Sequence, residues 1–196
     1  STLVFNHIYV AEGAKLTISE GAKLYMHGGA NIVVDGELEC RGTFEHPIVI
    51  RGDRFDCIND VDQTPYDQTP NQWGGIYLQN AQSHNVIENT HVRGASMGIL
   101  LVGANRSEPV LELRNSVVHN SGAYGVYAQQ GSLVIENTEI SNCGESCIVQ
   151  LGGTLRMAHT TVANYYRYAS RKNASVRILN YVMQNGVRLT FPVTSA

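Results

Sequence analysis

The chain has 196 residues, a net charge of −3 and only 16% charged side chains, with 19 Gly. That length suits one solid domain. The charge balance excludes the basic footprint of a nucleic-acid binder, and the longest apolar run, Gly98 to Ala104, is far too short to span a bilayer.

Residues 1–20 lack a basic stretch followed by an apolar one, so no signal peptide is read there. A start at Ser1 without Met reads as a mature or trimmed form, with room upstream for a secretion or lipid signal. Residues 1–50 carry a short beat. Gly13-Ala-Lys-Leu, Gly21-Ala-Lys-Leu and Gly29-Ala-Asn-Ile recur every eight residues, each a turn Gly leading into a strand. Alternation points Leu16/Ile18, Leu24/Met26 and Ile32/Val34 inward. Three such units make one coil of about 24 residues, in line with the later repeats. Residues 51–72 are polar and aperiodic and read as a protruding loop, which at this length is functional or mobile. Its acids include Asp60 and Asp62. Calcium is the cofactor such oxygens would admit, but no Asp-x-Asp-x-Asp-Gly spacing exists, and a solvated loop is the weightier reading.

Residues 73–190 are the regular part. Asn89, Asn115, Asn137, His159 and Asn180 fall 26, 22, 22 and 21 residues apart. Five residues later runs a second series: Gly94, Asn120, Asn142, Asn164 and Asn185. Between them stands an apolar column of Val92, Val118, Ile140, Val162 and Met183. Three columns in step at a period of 21–26 residues mark an all-β solenoid. Each coil would hold three short strands, stacking into three parallel sheets, in roughly eight coils about 40 Å long. The Asn residues would line the corners as structural ladders, pairing backbone groups that would otherwise be buried unmet. One strand per coil carries the inward pairs Ile76/Leu78, Ile99/Leu101, Val126/Ala128, Ile148/Gln150, Ala169/Arg171 and Val187/Leu189, so the core turns polar near its end. The remaining sheet takes LEL (111–113), LVI (133–135), LRM (155–157) and VRI (176–178). Residues 191–196 form a tail.

Four Cys stand at 40, 57, 143 and 147. Pairing of neighbours fits an oxidising compartment, and free thiols fit equally. C-x-x-C spacing is absent, which disfavours zinc.

The Asn-Thr/Ser steps (Asn89-Thr90, Asn115-Ser116, Asn137-Thr138) and the Gly-Ile/Val strand starts resemble the single right-handed parallel β-helix of pectate lyases and polygalacturonases. The front half resembles surface-exposed, often lipid-anchored bacterial β-helix proteins. The carrying segments there are Val34-Asp-Gly36-Glu-Leu38-Glu-Cys-Arg-Gly42-Thr43, a Pro-Ile-x-Ile strand and Trp73-Gly-Gly-Ile76. That resemblance implies an extracellular or outer-surface location, with a membrane reached only through an anchor upstream. Its motifs specify fold better than function.

Hydrolases of that family need convergent carboxylates. The nearest match is Glu145-Ser146, where neighbouring coils place Ala123-Tyr124 and Tyr166-Arg167. Glu145 alone cannot be both acid and base, so an exposed turn residue is the plainer reading. Binding has more support. Tyr77, Leu100, Tyr127 and Val149 would stack on one outer face, with Tyr124, Tyr166 and Arg167 at its edge. Such a strip can meet sugar rings or a protein, although aromatic stacking also simply stabilises sheets. The expectation is a non-catalytic scaffold or binding module for a polysaccharide or another surface protein. A polysaccharide lyase or glycoside hydrolase with an unfamiliar site is the alternative.

Overall fold

A computed structural model describes residues 1–61, 63–104, 108–165 and 173–192. The chain winds as a parallel β-solenoid of about seven turns. Sheet A stacks β1 (Thr2–Val4), β4 (Lys23–Met26), β7 (Ile48–Gly52), β10 (Thr90–Arg93), β13 (Val117–Ser121), β16 (Glu139–Cys143) and β19 (Thr161–Ala163). Sheet B stacks β2 (Ile8–Val10), β5 (Asn31–Val34), β8 (Trp73–Leu78), β11 (Ala95–Val102), β14 (Tyr124–Gln129), β17 (Ser146–Leu151) and β20 (Val176–Leu179). Sheet C stacks β3 (Lys15–Ser19), β6 (Glu37–Arg41), β9 (Asn85–Glu88), β12 (Pro109–Arg114), β15 (Ser132–Glu136) and β18 (Thr154–Ala158). The three eight-residue units at the front enter three different sheets and close one coil, with Ile8 beside Ile32.

Inside, like sits on like. Leu24, Ile50, Val92, Val118, Ile140 and Val162 stack in sheet A. Ile32, Ile76, Ile99, Val126 and Ile148 stack in sheet B. Apart from Val162, which is partly buried, these columns are almost wholly buried, and their burial is the main driving force for closing each coil. Polar residues also enter the core, Asn85 and Gln150 among them. Asn85 is fully buried and accepts from the Leu38 N–H (2.8 Å) while donating to Val110 O (3.1 Å) and Ser83 Oγ (3.0 Å). Gln150, the expected polar inward residue, is 1% exposed and donates to Gly152 O at 2.6 Å.

The corners explain the Asn-Thr/Ser steps. Asn89, Asn115, Asn137 and His159 all hold φ between 45° and 49°, a left-handed bend that Asn tolerates better than most residues. Asn137 Nδ2 donates to Asn115 Oδ1 (2.8 Å), and Asn89 Nδ2 donates to Gly42 O (3.1 Å). The following hydroxyls knit the coils. Ser116 Oγ accepts the Thr90 N–H (3.1 Å) and donates to Arg114 O (2.6 Å). Asn120 and Asn142 are also left-handed, and Asn164 Oδ1 accepts the Cys143 N–H at 3.0 Å.

The C-terminal register differs from expectation. Residues 176–179 lie on sheet B, with Val176 beside Ile148 and Ile178 beside Gln150, not on sheet C. Residues 181–190 leave the stack as an antiparallel hairpin, β21 (Tyr181–Gln184) with β22 (Val187–Thr190). Its turn is Asn185-Gly186, with φ of 50° and 76°, the pair that a two-residue hairpin demands. Asn185 is therefore a hairpin residue rather than a ladder member, and Met183, Val187 and Leu189 are exposed rather than inward. Ala169 and Arg171 lie outside the described residues. All four Cys are free thiols. Cys40 is sealed in the core, where burial pushes it up to about 12, and Cys57 is exposed in the loop.

Candidate functional site

Three outer faces result, and their chemistry differs. Sheet C is closed by its own charges. Arg41, Glu88, Arg114 and Glu136 stand in one column. Arg41 pairs with Glu88 (3.2 Å), Arg114 with Glu112 (2.9 Å) and with Glu136, and Glu136 with Arg156 (3.1 Å). These charges are spent on one another.

Sheet B carries the aromatic strip. Its outward column reads Tyr9, Val33, Tyr77, Leu100, Tyr127, Val149, Arg177. Tyrosine thus recurs on every second coil, about 9.6 Å apart. Tyr77 and Tyr127 are half-buried and Tyr9 is exposed. Tyr124 packs against Tyr127 with ring centroids 5.1 Å apart. Burial pushes the Tyr77 and Tyr127 phenols up, so both remain neutral donors. Tyr9 donates to the Asp35 carboxylate, which raises its phenol too. Tyr166 and Arg167 lie outside the described residues.

Sheet A is the polar face, and two clefts open on it. The larger, about 600 Å³, crosses four coils along the corner of Asn89, Asn115, Asn137 and His159. Its floor is the outward column His91, Val117, Glu139, Thr161, and Phe44, 89% exposed, stands at one mouth. Glu139 Oε1 accepts from Ser141 Oγ at 2.7 Å. Burial and the Arg93 charge lower the His91 pKa, so the ring is neutral near pH 7.

The smaller cleft, about 330 Å³, is built by the loop. Strand β7 includes Arg51 and Gly52, so the loop proper begins at Asp53. It returns over sheet A through the short 3-10 turn Tyr66–Gln68. Asp67 is held between Arg51 Nε (3.1 Å) and Arg93 Nη1 (2.9 Å). The Arg51 contact is an ion pair without hydrogen-bond geometry, since Asp67 Oδ1 is buried and unbonded. Burial first, then the Arg93 charge, lowers the His119 pKa. Sequence reading missed this cluster. The signal available was the polar residues flanking Val92, Val118 and Ile140, whose alternation sets them outward.

The other expected sites stand apart. Glu145 is an exposed turn residue that accepts from Asn173 Nδ2 at 2.5 Å. A different cleft, about 390 Å³ near the first coils, brings Glu12 and Glu37 together with Lys15. In the loop, Asp53 pairs with His27 (2.6 Å), Asp56 with Arg54 (2.5 Å) and Asp67 with both Arg51 and Arg93. Asp60 is exposed, and Asp62 lies outside the described residues. Among the described residues no three His, Cys, Asp or Glu converge.

No protein-family model matches the chain, and comparison with characterised proteins and with solved structures gives no match either.

Proposed function

We propose that this solenoid is a non-catalytic, cell-surface or secreted module that binds a polysaccharide through the tyrosines of sheet B. One observation carries the reading: Tyr9, Tyr77 and Tyr127 recur on alternate coils of one outer face, with Val33 and Leu100 between them. In an extended β-linked glycan every second ring presents the same side. Rings about 9.6 Å apart can therefore stack on alternate sugars, with apolar side chains beneath the rest. The resemblance to bacterial β-helix proteins supports an outer-surface location.

The test is retention on insoluble polysaccharides and on a glycan array. The double variant Tyr77→Ala/Tyr127→Ala is expected to lose at least about tenfold in affinity, each stacked ring being worth about 1 kcal/mol. Retention at the level of the unaltered protein refutes the reading. Capture of a surface protein by the same tyrosines, with no glycan bound, would replace the sugar by a protein partner.

A second reading, hydrolysis or lysis of a polysaccharide, draws on the cleft that Glu12 and Glu37 both line, since a glycosidase needs two carboxylates. It requires release of reducing ends that disappears in Glu37→Gln.

A further inference from the structure

We propose that the groove on sheet A is a second, separate sugar site, which takes a single strand of a neutral glycan with one residue per coil. It lies on a different face from the tyrosine strip and stands independently of it.

The groove runs along the solenoid axis, because Asn89, Asn115, Asn137 and His159 are stacked on successive coils. Each step repeats the same kind of group about every 4.8 Å, close to the rise of one pyranose in an extended chain. Four coils therefore offer about three such steps, and the 600 Å³ cleft is of the size that small-ligand sites occupy.

The lining selects the class of ligand. It combines amides, imidazoles, the hydroxyls of Ser116, Thr138 and Thr161 and one carboxylate, all groups that meet a sugar hydroxyl as donor or acceptor. Among the described residues no hydrogen bond engages the His91 ring, and Glu139 uses one oxygen on Ser141. Among the described residues neither Lys nor Arg lines the groove, and Glu139 is the sole carboxylate. With His91 neutral, an acidic glycan finds no Lys or Arg among those residues and would be repelled by Glu139. Phe44, at the mouth beside Asn89, supplies an exposed ring for the face of a terminal sugar.

The test is calorimetric titration of the chain with soluble tri- to hexasaccharides of the cello-, manno- and xylo- series, with galacturonic oligosaccharides as the acidic comparison. One neutral series is expected to bind. Phe44→Ala and Glu139→Gln should each weaken it by at least about tenfold, and by the same factor when made in the Tyr77→Ala/Tyr127→Ala background. Phe44 is too exposed to disturb the core, so its loss of binding is not a loss of fold. No binding by any neutral series, unchanged binding in both groove variants, or preference for the acidic series overturns the proposal. If only the tyrosine variant abolishes soluble binding, the groove fails and the tyrosine face stands. If the groove binds while insoluble polymer is not retained, the outcome is reversed.

Discussion

Replacing Asn85 tests the account of the core most sharply. Its side chain is fully buried where Leu111 occupies the same column one coil on, and it bridges two coils through the Leu38 N–H and Val110 C=O. Asn85→Leu fills the space with apolar atoms but leaves both backbone groups unpaired. Each unmet buried group costs about 1–3 kcal/mol, so the loss is about 2–6 kcal/mol, offset by about 2 kcal/mol for burying a leucine. Asn85→Ala lacks that offset and opens a cavity besides. Taking about 4 kcal/mol for the alanine variant and a slope of roughly 2 kcal/mol per molar urea, its unfolding midpoint falls by about 2 M. Urea titration followed by far-ultraviolet circular dichroism reads it. A leucine variant more stable than the parent would refute the reasoning, for then the coils could separate their backbones here at no cost.

Three further outcomes follow from the same contacts. Asp67→Ala frees Arg51 and Arg93 and should expose the loop, so limited proteolysis will cut within residues 53–72 at least about threefold faster, while the melting temperature moves by only a few degrees because the ion pairs are partly exposed. The His91 and His119 pKa values are lowered from 6.5 by burial, so the unfolded chain binds protons first. Their contribution to stability is full above pH 6.5 and is lost as pH falls below it; in a melting series across that range, His119→Gln should flatten the slope. At Gly98 an added Cβ would lie 2.3 Å from Gly125 O, so Gly98→Ala must push two coils apart and should lower the thermal midpoint by several degrees.

Much of this architecture is legible in the residues. The corner asparagines announce themselves because a left-handed bend narrows the choice of side chain, and the inward pairs of β8, β11, β14 and β17 follow from strict alternation. The C-terminal coil is less legible. Val176-Arg-Ile178 alternates as well as any strand, and alternation does not say which of three sheets receives it. Asn185-Gly186 fits both a ladder and a hairpin turn, and the two left-handed residues in succession decide for the turn. The Asp67 cluster was illegible for another reason. Asp67 sits in an aperiodic loop, 16 and 26 residues from its strand-borne partners Arg51 and Arg93, and no repeat predicts where such a loop lands.

The alternating charges of sheet C bear on how the chain finds its register. A solenoid of near-identical rungs has an obvious error available, the omission of one rung so that a strand zips onto its next-but-one neighbour. Hydrophobic columns scarcely object, since valine will sit on isoleucine in either arrangement. Arg41, Glu88, Arg114 and Glu136 do object: skipping a rung brings guanidinium over guanidinium and carboxylate over carboxylate, which is unfavourable for directly opposed like charges. The sign alternation thus proofreads the winding, penalising a mistake to which the apolar interior is blind.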